Sequence, residues 1–261
     1  MEKIKMIIGV YQFASTGDIT SNLKKITYAI NSAAEKGIDL IAFHECALCG
    51  YPPIESEIEK VNKQDVDSAL KTISDIAGRL SINVAVGTIR FESKKKYNSV
   101  ILFGRDGSVR GTYDKKALWG WDVDNFERES KGGIFDIEGV KIGFRICFDV
   151  RFPELFRELY SEKADLCIVC LSDTSKEEKM ERYSIIKSHL ISRAVENVMT
   201  VISVNSTTDI QTAPTAVFDC NGETIMEAEV GKEMMLVYDF EKPEITFGMR
   251  GRIENNKRFI K

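Results

Sequence analysis

The stretch Asp39–Glu45, DLIAFHE, is apolar at four consecutive positions, Leu40 to Phe43, before it meets two ionisable side chains. A strand with one wet face alternates apolar and polar residues. An unbroken apolar run this short marks a strand covered on both faces. Amphipathic helices stand on either side of it to supply the cover. DITSNLKKITYAINSAAEKG puts Leu23, Ile26, Ile30, Ala33 and Ala34 on one helical face and reaches Gly37, a natural C-terminal stop. DVDSALKTISDIAGRL repeats the pattern through Val66, Ala69, Leu70, Ile73, Ala77 and Leu80. With the β-prone Met6–Phe13 before them and INVAVGTI after them, the chain opens as β-α-β-α-β, helices packed on a sheet.

The middle of the chain changes style. YNSVILFGRDGSVRGTY reads as a hairpin turning at Asp106-Gly107, and GIFDIEGVKIGFRIC as one turning near Glu138-Gly139. A helix starts at the proline of PELFRELYSEK, DLCIVCL and TVISVNS are strands, and SKEEKMERYSIIKSHLISRAVEN is a long helix between them. TAVFDCNGETIMEAEV turns at Asn221-Gly222, and MMLVYDF closes a sheet. No linker, repeat or low-complexity tract divides residues 1–261, so the pattern predicts a single domain. The fold class is α/β, with two sheets face to face and helices outside. The charged tail 241–261 has little core of its own and is expected to reach for a partner.

Composition removes several classes of function. Thirty-six basic residues against 40 acidic ones leave a net charge of −4, and no basic stripe with interleaved aromatics exists, so no nucleic-acid surface is expected. No apolar run approaches the roughly 20 residues that span a bilayer, which predicts no membrane partner. The start, MEKIKMIIGVYQFAS, reads as a buried first strand rather than a signal peptide, and six cysteines without such a signal read as reduced thiols. Together these place the protein in the cytoplasm. Only His44 and His189 are present, which disfavours His-rich metal sites.

Candidate chemistry gathers where apolar strands end. GFRICFDVRFPE carries Cys147 at the boundary between a strand and a charged turn, where a reactive thiol meets solvent and substrate; a structural cysteine belongs deeper in the run. Glu45 stands at the exit of DLIAF as either a paired structural charge or a proton-transfer group. Lys115 in TYDKKALWG also ends a strand, but Lys116 beside it makes a solvated pair the simpler reading. Cys46–Cys49 and Cys167–Cys170 have zinc-ligand spacing. The second pair lies in a strand, where i and i+3 point to opposite faces, so Cys167 and Cys170 read as core and no metal is expected.

Taken in order, FHECALCGYP, YDKKALW and GFRICFDVRFPE resemble the three signatures of the nitrilase, or carbon–nitrogen hydrolase, superfamily, and SRAVEN followed by VNS resembles its later helix and strand. The likeness runs from about Val10 to Phe240. It implies a four-layer α-β-β-α sandwich, a homodimer or higher homo-oligomer, no cofactor, and a catalytic triad of Glu45, Lys115 and Cys147. It also implies Cys147 as nucleophile, Glu45 as proton carrier, and Lys115 with the backbone N–H of Phe148 as oxyanion donors. Phe148-Asp149 after the cysteine matches the amidase-like branches rather than the nitrile-processing ones. The expected activity is hydrolysis of a small amide or carbamoyl compound through a thioester; a nitrilase, an N-acyltransferase or a non-catalytic binding member are the alternatives.

Departures from the family pattern set further expectations. His44 replaces the usual proline and is given a packing or supporting role. Asp122 takes the place of a substrate-positioning glutamate, with Glu127 and Glu129 as rivals. Arg145 is read as a structural ion-pair member, with recognition of an acidic substrate as the other reading. Asp149, Arg151 and Glu154 are expected to hold the turn through ion pairs. LSDTS and TAPTAVF, unlike the family's usual segments there, leave the substrate open and predict a polar pocket.

Overall fold

The computed structural model describes residues 5–52, 54–128 and 132–259. Strand β1 (Lys5–Gln12) leads through helix α1 (Ile19–Glu35) to β2 (Leu40–Phe43), and helix α2 (Lys63–Leu80) leads to β3 (Asn83–Glu92). β4 (Lys95–Phe103) and β5 (Val109–Asp114) follow as antiparallel neighbours, then the one-turn helix α3 (Asp122–Asn125). β6 (Ile134–Ile137) and β7 (Val140–Ile146) form a hairpin that runs into a 3-10 turn at Cys147–Arg151. Helix α4 (Pro153–Ser161), β8 (Leu166–Leu171), the two-residue β9 (Thr174–Ser175) and helix α5 (Met180–Asn197) come next. β10 (Thr200–Asn205), β11 (Ile210–Gln211), β12 (Ala216–Phe218), β13 (Thr224–Glu227), β14 (Met234–Glu241) and helix α6 (Phe247–Phe259) end the described chain.

Two six-stranded sheets result, in the orders β14-β1-β2-β3-β4-β5 and β13-β12-β10-β8-β7-β6. The two-residue side-chain period of each strand explains the unbroken apolar runs. Leu40 and Ala42 of β2 point into the space between the sheets with Ile142, Phe144, Ile168 and Val204 of the other sheet. Ile41 and Phe43 point the opposite way, onto Ile26, Ile30, Val66 and Ile73 of α1 and α2. In the second sheet Cys167 and Val169 face Phe156, Leu159, Ile186 and Leu190 of α4 and α5, while Cys170 faces the middle. Both faces of the central strands are therefore dry, and the order of layers is α-β-β-α. Each fully buried Leu, Ile or Phe contributes roughly 1.5–3 kcal/mol. The opposed directions of Cys167 and Cys170 also dispose of a shared zinc ion. No group of three or more metal-type side chains exists among the described residues.

Local signals act where the sequence puts them. Asp18 and Asn62 cap α1 and α2 by accepting the Thr20 and Gln64 N–H groups, and Gly37 stops α1 at φ +68°. Glu138 and Gly139 both take positive φ, as a tight two-residue hairpin requires. One expectation needs correction. The helix expected from Ser175 starts only at Met180, because Thr174–Ser175 pair with Ile210–Gln211 instead. The tail is not free of its own chain. Within α6, Met249 is buried, Asn256 donates to the Glu196 carbonyl at 2.9 Å, and Arg252 donates to the Val195 and Cys220 carbonyls at 2.7 Å each.

The segment after β2 lies directly on β3, and one glycine permits it. A Cβ at Gly87 would stand 2.0 Å from the His44 carbonyl oxygen and 2.8 Å from the Cys46 nitrogen, and the Leu48 N–H donates to the Gly87 carbonyl at 3.1 Å. Because both obstacles are backbone, Gly87→Ala must push the Glu45 segment away, at an expected cost of about 1–3 kcal/mol. Urea unfolding should show a lower midpoint with an unchanged slope. An unchanged midpoint would refute the close approach.

Candidate active site

Glu45, Lys115 and Cys147 stand at three strand exits. Glu45 follows the parallel strand β2, Lys115 follows β5, and Cys147 follows β7 of the facing sheet. Ser172 and Ser206 follow the parallel strands β8 and β10 at the same end, the carboxyl edge where open α/β sheets place their ligands. The facing sheets thus bring together side chains more than a hundred residues apart.

Lys115 is the centre of the arrangement. Its Nζ donates to Glu45 Oε1 and to Asp122 Oδ2, each at 2.7 Å, and all three side chains are buried. Asn98 Nδ2 adds a bond to Glu45 Oε1 at 2.8 Å, and the Ser172 N–H one to Oε2 at 2.9 Å. Tyr51 OH donates to Asp122 Oδ1 at 2.8 Å. Burial works against the ammonium of Lys115, but Glu45, Cys147 and Asp122 around it outweigh that and hold its pKa well above the ordinary lysine value. Burial raises the Glu45 carboxyl above its usual range, against the pull of Lys115. The Cys147 thiol is pushed up by burial and by the Glu45 charge, with Lys115 opposing. Burial thus favours the protonated thiol, with the Glu45 carboxyl group within electrostatic reach.

Cys147 itself sits at φ +43°, in the left-handed region, where β7 breaks into its 3-10 turn. Asp149 holds that turn. Its Oδ2 accepts the Ile146 N–H at 2.9 Å and the Tyr113 hydroxyl at 2.7 Å, and its Oδ1 accepts the Ala117 N–H at 2.8 Å. The acid next to the nucleophile thus ties the cysteine turn to the segment that carries Lys115. Ion pairs are not the means: among the described residues neither Asp149, Arg151 nor Glu154 forms one. Arg151 lines a cavity instead, and Glu154 is exposed.

That cavity, about 250 Å³, opens over Cys147, Phe148 and Lys115. Its outer wall is cationic: Arg151, Lys179 and Arg182 line it with one carboxylate, Asp173. Arg182 grips Asp173 through two bonds of 2.7 Å, and Thr212 donates to the same carboxylate. Ile54 and Trp119 form the apolar side of the mouth.

Several sequence assignments change place. Asp122 is not a cavity residue: it is buried behind Lys115 with both oxygens taken, so it orients the lysine rather than a substrate. Its rival Glu127 pairs with Lys95 at 3.6 Å, and Glu129 lies outside the described residues. Arg145, by contrast, keeps its reading as a structural ion-pair member: it is fully buried, donates to the Leu155, Gly132 and Phe144 carbonyls, and reaches Glu158 at 3.3 Å, away from the cavity. Lys116 is half-buried and pairs with Glu158 at 2.6 Å rather than standing in solvent. Asn98, Tyr51, Ser172 and the cationic wall were missed. The one available signal was Asn98, a polar residue inside the strand YNSV.

Residues 7–246 match the family model described as carbon-nitrogen hydrolase. The 2-oxoglutaramate amidase of Bacillus subtilis is 26% identical over 208 residues, covering 78% of this chain and 77% of that protein. The glutamine-dependent NAD(+) synthetase of Aquifex aeolicus is 29% identical over 237 residues, covering 89% of this chain, which spans only 40% of the synthetase. An amidase from Nesterenkonia sp. superposes with a TM-score of 0.82 at 23% identity, covering 100% of this chain and 98% of that one, which establishes the shared fold. A mutant of that amidase carries the acetamide moiety of fluoroacetamide on its active-site cysteine.

His44 supports the site from behind. Its Nδ1–H donates to the Glu45 carbonyl at 3.0 Å, its ring lies 4.7 Å from that of Phe13, and burial pushes its pKa down to about 4. The folded chain keeps His44 neutral while the unfolded chain protonates it near 6.5. Its share of stability is thus complete above pH 6.5, falls as the pH drops towards 4, and is level below that. Linkage puts the loss between pH 7.5 and 5 at about 2 kcal/mol. Urea midpoints at those two pH values should drop further for the wild type than for His44→Phe; parallel drops would reject the neutral, buried histidine.

Proposed function

The chain belongs to the carbon-nitrogen hydrolase family, and from that premise we propose that it is a cysteine-dependent amidase acting on a small carboxamide through a thioester. The observation that carries the reading is the Lys115 ammonium, held at 2.7 Å from Glu45 beside the Cys147 thiol at the cavity floor. As Cys147 attacks the amide carbon, Glu45, whose basicity burial has raised, takes the thiol proton. The carbonyl oxygen becomes an oxyanion, which Lys115 and the Phe148 N–H, at the open start of the 3-10 turn, are suited to receive. Each such donor is worth about 3 kcal/mol in the transition state. Glu45 then passes its proton to the nitrogen, the C–N bond breaks and ammonia leaves the thioester. Water attacks next and gives a proton to Glu45; as the C–S bond breaks to release the acid, Glu45 returns that proton to the sulfur and the thiol is restored.

Charge in the cavity narrows the substrate. Two carboxylates and one ammonium leave the catalytic cluster at −1, while three cations and one carboxylate give the outer wall +2. Such a field draws a negative group outward and leaves a neutral amide against Cys147. We therefore read the substrate as a short amide with a carboxylate at its far end, in keeping with the name of the Bacillus subtilis relative. Ammonia release should be seen with a monoamide of a short dicarboxylic acid and vanish in Cys147→Ala. A neutral amide of equal length should show a kcat/KM about tenfold lower or worse, and Lys179→Glu should erase that preference. Equal turnover of both amides would reject the charged substrate, and turnover by Cys147→Ala would reject the nucleophile.

The six free cysteines suit a reducing, cytoplasmic setting, and no helix among the described residues is long and apolar enough to cross a membrane. The exposed Phe247 and Phe259 of α6 suit contact with a second copy of the chain, in line with the homo-oligomer that the family resemblance implies. Light scattering should give at least the dimer mass, and Phe247→Lys with Phe259→Lys should lower it. A wild-type monomer would end this reading.

A further inference from the structure

Asp122 can orient Lys115 only as firmly as Tyr51 orients Asp122, and Tyr51 lies on a loop outside both sheets. What holds that loop is a carboxylate with no part in the chemistry above. Glu55 Oε2 accepts the Tyr51 N–H at 3.0 Å and the Ser15 hydroxyl at 2.6 Å, and its Oε1 accepts the Ser206 hydroxyl at 3.4 Å. In return, the Glu55 N–H donates to the Tyr51 carbonyl at 2.9 Å, so the two residues close one turn from both sides. Ser15 follows β1 of the first sheet, and Ser206 follows β10 of the second. Thr208 completes the ring, its N–H donating to the Ser206 hydroxyl oxygen at 3.1 Å and its own hydroxyl donating to the Ser15 carbonyl at 3.0 Å. One carboxylate thus gathers the site ends of both sheets onto the turn that carries Tyr51.

The surroundings make this a costly way to hold a surface loop. Glu55 forms no ion pair among the described residues; its partners are hydroxyls and a backbone N–H, and nearby Lys60 is paired with Glu57 at 2.6 Å. Half-burying a carboxylate on neutral donors alone gives up hydration and is costly unless those donors are well placed. Nor can the turn relax towards Thr16. Gly50 takes φ +72°, and a Cβ there would lie 2.5 Å from the Thr16 carbonyl oxygen. Ile54 of the same turn lines the cavity mouth, so the turn touches the site twice.

We infer that Glu55 is a positioning residue for Lys115, acting through the Tyr51 N–H, the Tyr51 hydroxyl on Asp122, and Asp122 on the ammonium. The inference rests on the amidase reading. If Glu55 is lost, the turn loosens, Tyr51 withdraws from Asp122, and Lys115 loses one of the two carboxylates that aim it. The amide still reaches the cavity, so the damage falls on the chemical step rather than on binding.

Two measurements on the full chain test this. One is kcat and KM for the preferred amide; the other is the rate at which iodoacetamide alkylates Cys147, followed by intact mass with Cys147→Ala as blank. Glu55→Ala should slow kcat and alkylation about tenfold while KM moves less than about threefold, the scale of a misplaced catalytic group. Glu55→Gln, which keeps an acceptor oxygen for the Tyr51 N–H, should recover most of both rates. Tyr51→Phe should reproduce the loss, and adding Glu55→Ala to it should cost less than about twofold more, as for two steps of one path. Rates unchanged in Glu55→Ala, or losses that multiply in the double variant, would overturn the inference. Should Glu55→Ala not fold, Ser206→Ala takes its place in the cycle with the same two outcomes. A chain that hydrolyses no amide would reject the amidase reading, and the alkylation rates would still decide on Glu55.

Discussion

One buried ammonium governs this molecule. Lys115 is out of water between Glu45 and Asp122, and removing three charges from solvent costs several kcal/mol per ion unless donors and acceptors are all met. The Ser172 N–H and Tyr51 OH meet the two remaining carboxylate oxygens, and Asn98 adds a second bond to Glu45 Oε1. Burial first, and then the Glu45 charge, raises the Cys147 thiol, with Lys115 opposing. In the proposed mechanism the sulfur therefore starts as a thiol, and its proton moves to Glu45 as the sulfur attacks the amide carbon.

Holding such a cluster needs backbone that cannot drift. Gly87 lets the Glu45 segment lie against β3, and Asn98 of the neighbouring strand bonds the carboxylate through its side chain while its own carbonyl takes the Lys115 N–H at 2.8 Å. From the other sheet, Asp149 ties the cysteine turn to Ala117, two residues beyond Lys115. The first sheet therefore braces Glu45 and Lys115 from within, and the second reaches across to them through Asp149 and the Ser172 N–H. This accounts for a core with both sheet faces dry, since a sheet free to slide would separate thiol from base.

The cavity is polarised along its depth, negative at the floor and positive at the rim. Asp173 sets the balance at the rim by occupying Arg182, which leaves Arg151 and Lys179 as the cations without a carboxylate partner there. In the proposed reading, recognition falls to the end of β8, the start of α5 and Arg151 of the 3-10 turn, and chemistry to the ends of β2, β5 and β7.

The layered α/β fold was legible in the sequence because local physics writes it there. Continuous apolar runs such as LIAF can only be strands dry on both faces, and the helical stripes through Ile26 and Ile73 supply the cover. Glu45 and Cys147 stood out as ionisable groups at the ends of apolar strands, whereas Lys115 on its own read as half of a solvated pair and joined them only through the family resemblance. Their partners were not legible. Asp122 and Lys115 are close in sequence, but only packing decides that the aspartate faces the ammonium and not the substrate. Tyr51, Asn98 and Ser172 come from three separate segments, and the charges of Arg151, Lys179 and Arg182 look like any solvated surface until the 3-10 turn and α5 bring them to one rim. Periodicity and strand ends are properties of neighbours along the chain and survive in the sequence. A hydrogen bond or a shared field depends on distances across the fold, and only the packing of the two sheets sets those.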